Sequence, residues 1–374
     1  MKKALIVCTI VNFLKFEIND LLLLKNSGYE IHCATNFSHP DMELLNELNM
    51  LGIVNHKIDF ARSPCSKTNI TAYYQLKQLM EYEDFDLLHC HTPVGGVLAR
   101  IVARKYRKKG MRVIYTAHGF HFYAGAPLLN WLIYYPIEKW LSRFTDVLIT
   151  INNEDYQRAK KKFHAKETKY IPGVGIDVEK IQAVQVDREK KREELGIGKD
   201  DFLLLSVGEL NKNKNHEVVI RAVAELGDPK IKYAICGQGP LKEYLEELAE
   251  KLGVRNQLFL LGFRTDVIEI CKSADVFVFP SKREGLSVAL MEAMACGLPC
   301  IVSKIRGNMD LVVDKENGFL FGIGNVDEFN KKMLILLRSK EVRVFMNKRN
   351  IQRSHDYTIE NTKKIMCAIY GEKI

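Results

Sequence analysis

The chain has 374 residues, of which 47% are hydrophobic and 27% are charged, with 24 glycines and 10 prolines. This composition is ordinary for globular proteins and excludes collagen-like, mainly disordered and small disulfide-stapled classes. At about 150 residues per domain the length predicts two or three domains. The formal net charge is +9, and residues 1–172 carry most of it, with 23 Lys and Arg against 16 Asp and Glu.

Short apolar runs rich in β-branched residues alternate with longer amphipathic stretches, which is typical of parallel strands joined by helices. The first series predicts strands at residues 3–9, 29–35, 87–91, 112–117, 147–151 and 168–171. The second predicts strands at 202–207, 232–236, 258–261, 276–279 and 300–303, with 318–321 as a short edge. Each series predicts an α/β, Rossmann-like domain whose ligands bind beyond the carboxyl ends of its strands. We therefore predict two facing Rossmann-like domains with an inter-domain cleft.

Two basic clusters, at residues 100–112 and 158–169, lie in the first series. They are either solvated helix ends or sites of attraction to phosphates, on a membrane surface or an anionic substrate. Residues 127–144 carry both tryptophans and predict one amphipathic helix that contains Pro136. Either core packing or contact with lipid would explain its apolar residues. No zinc-finger spacing or RNA-recognition signature occurs, so we expect no nucleic-acid partner.

The nine cysteines are odd in number and scattered along the chain. This usage predicts reduced thiols in a cytoplasmic protein. No apolar run approaches the roughly 18 residues of a membrane-spanning helix, so we expect no transmembrane segment.

Histidines end two predicted strands of the first series, at His89 and His91 and again at His118 and His121. Metal ligation is conceivable for such a set. Strand alternation directs His89 and His91 to the same side without a clear tetrad, so packing or hydrogen bonding is the favoured interpretation.

The most informative segment covers residues 279–299 and carries Glu284 and Glu292, eight positions apart. A strand, a glycine-containing loop and a helix that begins near Ser287 follow one another here. The free amides and positive dipole end of a helix N-terminus suit a diphosphate. The two carboxylates suit a sugar and the ribose hydroxyls; alternatively, Glu284 is a dipole partner and Glu292 a buried capping acid.

This segment, with Pro-Ser shortly before Glu284 and Glu-Ala-Met-Ala-Cys-Gly-Leu-Pro from Glu292, resembles retaining glycosyltransferase family 4 of the bacterial capsular and exopolysaccharide type. That family has the two-domain GT-B fold. The resemblance extends over nearly the whole chain, because residues 206–215 match the family's donor-phosphate loop and residues 236–240 and 261–266 match its second-domain turns. The chain departs from the family by Glu209 in place of an arginine and by the lack of a Gly-Gly pair near the first strand.

The resemblance implies that Lys214 binds the donor diphosphate, that Glu292 binds the ribose, and that His118 faces the donor sugar and the acceptor. The catalytic residues that it implies are His118, Lys214 and Glu284. The donor-binding residues that it implies are Gly208, Glu209, Lys214, Gly262, Phe263, Arg264, Glu284, Gly285, Leu286, Ser287 and Glu292. It also implies an acceptor-binding domain at residues 1–172, a donor-binding domain at 173–357, and a C-terminal helix within 358–374 that packs back on the first domain.

We accordingly expect a retaining hexosyltransferase that moves a hexose from a nucleotide sugar, UDP-linked, to a saccharide hydroxyl. The basic first domain suggests an undecaprenyl-diphosphate-linked acceptor of bacterial surface polysaccharide synthesis, and peripheral contact with the inner face of the membrane. No cofactor and no metal are expected, since the Asp-x-Asp signature is missing and Lys214 with a helix N-terminus supplies positive charge. Two alternatives stay open: a nucleotide-sugar epimerase of the same fold, and a non-catalytic donor-binding partner subunit.

Overall fold

The structure is a computed structural model, and it describes residues 1–371. It comprises two compact units: unit 1 is Met1–Val174 with the segment from Glu360 onward, and unit 2 is Gly175–Ile359. The first boundary lies two residues beyond the predicted one. Within the predicted segment 358–374, the structure has a helix at Ile359–Tyr370, and residues 372–374 lie outside the described residues.

The part of unit 1 that is described contains a seven-stranded parallel sheet in the order β3-β2-β1-β4-β5-β6-β7. Its strands are β1 Lys2–Ile10, β2 Tyr29–Asn36, β3 Val54–Lys57, β4 Leu87–His91, β5 Arg112–Ala117, β6 Val147–Thr150 and β7 Glu167–Tyr170. Its first six helices are α1 Ile18–Asn26, α2 Met42–Met50, α3 Thr68–Tyr82, α4 Pro93–Arg107, α5 Leu128–Leu141 and α6 Asn153–Lys162. Strands β4 and β6 are buried along their whole length, because helices cover both faces of such a sheet.

Unit 2 repeats this plan with six parallel strands, counted over its residues 175–359, in the order β10-β9-β8-β11-β12-β13. The strands are β8 Phe202–Val207, β9 Ile231–Cys236, β10 Leu258–Gly262, β11 Val276–Phe279, β12 Cys300–Ser303 and β13 Gly318–Phe321. The helices are α7 Val178–Ala183, α8 Arg188–Glu194, α9 Glu217–Leu226, α10 Lys242–Lys251, α11 Val267–Ser273, α12 Val288–Ala295, α13 Arg306–Leu311, α14 Val326–Arg338 and α15 Lys340–Ser354; α16, Ile359–Tyr370, returns to unit 1.

Each sheet reverses its strand order once, between β1 and β4 in unit 1 and between β8 and β11 in unit 2. Loops that leave the carboxyl ends of two such strands diverge to opposite faces and open a crevice, which is where open α/β sheets bind ligands. This topology therefore predicts ligand sites at the loops after β8 and β11 in unit 2 and after β1 and β4 in unit 1.

Helix α16 is anchored in unit 1 by its last residue. The Tyr370 hydroxyl donates to Asp20 Oδ2 at 3.0 Å and lies 2.9 Å from His89 Nδ1. Met366 and Ile369 are buried in the apolar core that also contains β1 and β2 residues. Burial raises the pKa of Asp20 to about 7, although the hydrogen bond from Tyr370 opposes the shift.

Helix α5 has one packed face and one exposed face. Trp131, Tyr134 and Tyr135 pack against the core of unit 1, whereas six apolar side chains on the other side are each at least 40% exposed. These six, called the α5 apolar face below, are Leu128, Leu129, Leu132, Ile133, Ile137 and Trp140. Core packing therefore accounts for one face of this helix and leaves the apolar residues of the other face unexplained. No helix within residues 1–371 has both the length and the hydropathy to cross a bilayer.

Arg100 corrects one expectation about the first basic cluster. Its side chain is fully buried, and its Nη2 donates to Glu138 Oε2 of α5 at 2.8 Å. The guanidinium also lies 3.7 Å from the centre of the Tyr115 ring. This member of the cluster joins α4 to α5 and is not available to phosphates.

Candidate functional site

Lys214 and Glu284 form an ion pair at the carboxyl edge of the unit 2 sheet. Lys214 lies in the loop after β8 and Glu284 in the loop after β11, the two strands at which the strand order reverses. Lys214 Nζ is 2.9 Å from Glu284 Oε1, and the two side chains are 19% and 15% exposed. The same Nζ lies 4.5 Å from the centre of the Phe279 ring, at cation–π distance. A shielded cation thus stands where this fold binds anionic ligands.

Asparagines give the Lys214 loop its shape. The side-chain oxygen of Asn211 accepts hydrogen bonds from the backbone N–H groups of Asn213, at 2.9 Å, and Lys214, at 3.0 Å. Asn213 then joins the two loops, since its Nδ2 donates to the carbonyl of Arg283 and its carbonyl accepts from the backbone N–H of Lys282. The ion pair therefore rests on backbone that is fixed on both sides.

Two glycines permit the close approach of the loops after β8 and β9. A Cβ on Gly237 would lie 1.9 Å from the carbonyl oxygen of Gly208, and a Cβ on Gly208 would lie 2.9 Å from Lys214 Cε. Any side chain at Gly237 would push the Lys214 loop away. The Gly-Gln-Gly turn at residues 237–239 therefore serves loop packing within unit 2.

Ser287 is the N-cap of helix α12, because its side chain accepts a hydrogen bond from the Leu290 N–H at 3.3 Å. The preceding loop is supported from α13: Arg306 Nε donates to the Glu284 carbonyl at 3.3 Å, and a Cβ on Gly307 would lie 2.1 Å from the carbonyl oxygen of Gly285. Gly285 and the half-buried Leu286 thus lead into the helix N-terminus beside the ion pair.

Glu292 lies on α12, half-buried, and burial raises the pKa of its carboxyl group. Over residues 1–371, its carboxylate has neither an ion-pair partner nor a hydrogen-bond donor. A shielded but unpaired carboxylate gains most from a hydroxyl donor on a ligand. The structure joins Lys214 to Glu284 directly, whereas no hydrogen bond or ion pair joins Glu292 to either of them within the described chain.

The other expected donor-binding residues of unit 2 differ in how available they are. Arg264 is engaged, since its Nε donates to Asp266 Oδ1 and its Nη2 to Glu194 Oε1, both at 2.7 Å. Phe263 is 74% exposed at the end of β10, and Gly262 accepts a hydrogen bond from the Gly237 N–H at 2.8 Å.

Glu209 stands where the resembled family has a cation. It is exposed, and its Oε2 accepts a hydrogen bond from Asn211 Nδ2 at 2.9 Å. The carboxylate therefore helps to fix the Asn211 turn. As an anion, Glu209 does not replace the positive charge that the family's arginine supplies at this position.

In unit 1, His118 follows β5 and meets His91, the last residue of β4. His91 Nδ1 lies 3.2 Å from His118 Nε2, and Glu17 Oε1 lies 3.4 Å from the former and 3.6 Å from the latter. Burial lowers the pKa of His118 to about 4 and that of His91 well below its usual value, and it raises the pKa of Glu17. Sequence reasoning missed Glu17; its only signal is a charged residue within an apolar stretch.

The remaining histidines of the sequence-based set have structural partners. His89 Nε2 lies 2.8 Å from Thr116 Oγ1, and burial lowers the pKa of this imidazole to about 3. The His121 ring stacks on Tyr134 with ring centres 4.7 Å apart. Both agree with the packing and hydrogen-bonding interpretation.

Comparison with known proteins assigns both halves of the chain. Residues 187–353 match the family model described as Glycosyl transferases group 1, and residues 11–152 match that described as Glycosyl transferase 4-like. Putative glycosyltransferase EpsD of Bacillus subtilis is 38% identical over 377 residues, covering 99% of this chain and 97% of that protein. The Escherichia coli UDP-Gal:alpha-D-GlcNAc-diphosphoundecaprenol alpha-1,3-galactosyltransferase is 30% identical over 327 residues, covering 84% and 82%.

Solved structures agree on the fold. Anabaena HepE in complex with UDP-glucose aligns with a TM-score of 0.80 at 18% identity, covering 99% of this chain and 100% of that one. WaaG, a glycosyltransferase involved in lipopolysaccharide biosynthesis, aligns with a TM-score of 0.73 at 18% identity, covering 97% and 99%. The prediction of a GT-B fold with two parallel-sheet, Rossmann-like domains is confirmed. With a relative that matches over nearly its whole length and family models on both halves, the chain belongs to the glycosyltransferases.

Proposed function

We propose that the protein transfers a hexose from a UDP-sugar to a hydroxyl of an undecaprenyl-diphosphate-linked saccharide, with retention of anomeric configuration. The observation that carries the proposal is the Lys214–Glu284 ion pair beside the α12 N-terminus. The relative from Escherichia coli is named for a UDP-galactose donor and a diphosphoundecaprenol-linked acceptor, which supports both substrate classes. HepE was solved with UDP-glucose, which supports a uridine nucleotide.

In this proposal Lys214 acts on the leaving group. Cleavage of the sugar–phosphate bond leaves UDP with additional negative charge, and a preorganised cation stabilises that charge most in the transition state. The α12 N-terminus adds unpaired N–H groups from the same side. The UDP diphosphate supplies an anion that competes with Glu284 for Lys214, and this releases the Glu284 carboxylate to orient hydroxyls of the sugar.

In this proposal retention results from attack on a single face of the sugar. Glu284, once released from Lys214, orients the sugar and forms no covalent adduct with it. The leaving phosphate oxygen accepts the acceptor proton, and attack occurs on the face from which UDP departs. Glu292 binds the ribose diol, and Phe263 offers an exposed ring to the base. No metal is required at the diphosphate.

The direct test incubates the purified chain with UDP-hexoses and a lipid-diphosphate-linked N-acetylglucosamine acceptor. We expect acceptor-dependent UDP release and a product whose anomeric configuration, determined by NMR, equals that of the donor. Lys214→Met should lower the activity by about 10²–10³-fold, whereas Lys251→Ala, at an exposed lysine at the end of α10, should leave it unchanged. Conversion of the donor sugar without acceptor would instead identify an epimerase. UDP-sugar binding without any UDP release would identify a non-catalytic donor-binding subunit.

We further propose that the α5 apolar face contacts the inner, anionic surface of the cytoplasmic membrane. Its six apolar residues recur at helical spacing and are exposed, with Leu128 at 73% and Leu132 at 66%. Cations border the helix: Lys139 is in its last turn and Arg143 follows it. Apolar insertion combined with nearby cations is the pattern of interfacial helices on anionic lipid. A lipid-linked acceptor would then be reached at the surface where it resides.

Flotation with liposomes tests this contact. We expect binding to vesicles that contain phosphatidylglycerol, weakened by salt, and little binding to phosphatidylcholine alone. Burial of one leucine contributes about 1.5–3 kcal/mol, so Leu132→Ser should weaken partitioning about tenfold or more. Ile70→Ser, on α3 and 61% exposed, is the matched control and should bind as the wild type does. Equal partitioning of the two variants would contradict the role of α5.

A further inference from the structure

Three ligand-type atoms converge at the carboxyl edge of the unit 1 sheet. Glu17 lies in the segment between β1 and α1, His91 ends β4, and His118 directly follows β5. Strands β4 and β5 are neighbours, and His91 pairs in register with Thr116. Because the ends of adjacent parallel strands meet at one edge, the two imidazoles face each other and the Glu17 carboxylate completes a triangle with them.

The triangle has the dimensions of a metal site. Its sides are 3.2 Å between His91 Nδ1 and His118 Nε2, and 3.4 and 3.6 Å from these atoms to Glu17 Oε1. Zinc binds imidazole nitrogen and carboxylate oxygen at about 2.0–2.2 Å in a tetrahedron, whose edges are then about 3.3–3.6 Å. A single ion above this triangle would therefore reach all three atoms at ordinary bond lengths.

Burial and hydrogen bonding point the same way. Glu17 is 4% exposed, and its Oε1 is buried without a hydrogen-bond donor in the described part of the chain. A buried carboxylate oxygen without a donor is costly unless a cation or a proton compensates its charge. The two imidazole rings are also held in place by neighbouring rings. The Phe13 ring packs edge-on against His118 with ring centres 4.8 Å apart, and the ring centres of His89 and His91 are 4.1 Å apart.

We propose that Glu17, His91 and His118 bind one divalent ion of the zinc class. Two imidazoles and one carboxylate suit zinc and its neighbours in the first transition series, whereas magnesium and calcium prefer all-oxygen ligand sets. The three protein ligands leave a fourth tetrahedral position for water or a substrate oxygen. The ion would fix the ends of β4 and β5 to the segment before α1, and it is independent of the diphosphate-binding role of Lys214.

Unit 1 contains a second His–His–Glu group that serves as an internal control. His32 Nδ1 lies 2.9 Å from His56 Nε2, and His32 Nε2 lies 3.1 Å from Glu30 Oε1. Here the two partners occupy opposite nitrogens of one ring, so their ligand atoms do not converge on a common point. Among the described residues, Glu17, His91 and His118 are the group of His, Cys, Asp and Glu side chains whose ligand atoms lie close enough together to bind one ion, all within 4.8 Å of one another.

The test uses the full chain, purified without a polyhistidine tag, stripped with a chelator and reloaded with Zn²⁺ or Co²⁺. We expect about one ion per chain by atomic emission and, with Co²⁺, the intense visible bands of four-coordinate cobalt. Loss of a ligand should exceed the roughly 10–100-fold loss in affinity that outer-shell changes cause. Glu17→Gln and His91→Gln should therefore both bind Co²⁺ far more weakly, while His56→Gln should bind as the wild type does.

The wild-type result decides the proposal even if a variant misfolds, which circular dichroism would reveal. Wild-type protein that retains no stoichiometric ion, or that gives only the weak spectrum of six-coordinate cobalt, would overturn it and leave a hydrogen-bonded His–His pair. A folded Glu17→Gln variant with unchanged Co²⁺ affinity would overturn it as well. None of these readouts depends on transferase activity, so the metal proposal and the proposed function fail separately.

Discussion

Replacement of Arg100 by methionine should destabilise unit 1 strongly. Arg100 is fully buried, and Glu138, its ion-pair partner, is 7% exposed. The variant would leave Glu138 with one neutral donor, the Tyr115 hydroxyl at 3.3 Å. Breaking a buried ion pair by removal of one partner costs about 3–5 kcal/mol, because the remaining charge stays buried without compensation.

The double variant Arg100→Met/Glu138→Gln removes both charges and keeps an acceptor for Tyr115. We expect it to be more stable than Arg100→Met alone, which is a non-additivity that only contacting residues show. The chain itself supplies the assay, because both tryptophans, Trp131 and Trp140, lie on α5. Tryptophan fluorescence during urea unfolding therefore reports unit 1, and linear extrapolation gives its free energy of unfolding.

Two results would refute this account of the pair. One is an Arg100→Met variant whose free energy of unfolding lies within about 1 kcal/mol of the wild type, since that is the value of an exposed pair. The other is a double variant that loses the sum of the two single losses. Either would mean that the buried charges do not compensate each other.

Three further predictions concern unit 2. Lys214→Met should lower kcat/KM for sugar transfer by about 10²–10³, the usual loss when one group that stabilises transition-state charge is removed, with an unchanged circular dichroism spectrum; a change below tenfold would contradict its role. Burial holds the pKa of His216 at about 4, so acidification from pH 6.5 to 4 protonates this group in the unfolded chain first and lowers stability. His216→Gln should flatten that pH dependence by about 2–3 kcal/mol, measured by urea unfolding at both pH values. Gly237→Ala should destabilise unit 2 by about 1–3 kcal/mol in scanning calorimetry, because its Cβ would meet the Gly208 carbonyl; unchanged stability would show that the loop yields freely.

The sheets were predictable because parallel strands covered on both faces appear as unbroken apolar runs. Strand β4, Leu87–His91, is buried at every position, and the prediction has the same bounds. Strand β3, Val54–Lys57, was missed because it lies at the sheet edge and its Val-Asn-His-Lys sequence is exposed or half-buried throughout. An edge strand is fixed by its pairing with β2, and sequence periodicity carries no information on that pairing.

The sites were harder to predict than the strands because they depend on where side chains point. Lys214 and Glu284 were assigned separately to the diphosphate and the sugar, but their mutual ion pair follows from loop conformations that Asn211 and Asn213 fix. For Arg100 the sequence-based interpretation was wrong. The basic run predicted a solvated or phosphate-binding cation, but Arg100 is buried because it pairs with Glu138, which lies on a helix much later in the chain. Glu17 and His118 are far apart in sequence and lie close together because β1, β4 and β5 are adjacent in the sheet.

The central claim is that Lys214 binds the diphosphate of a uridine nucleotide and that Glu292 binds its ribose. Calorimetric titration of the wild type, Lys214→Met and Glu292→Gln with UDP and with uridine tests it most directly. Lys214→Met should weaken the binding of UDP at least about tenfold and leave uridine unaffected, since loss of a hydrogen bond to a charged group costs about 1.5–3 kcal/mol. Glu292→Gln should weaken the binding of both ligands. Wild-type affinity for UDP in either variant would contradict the claim.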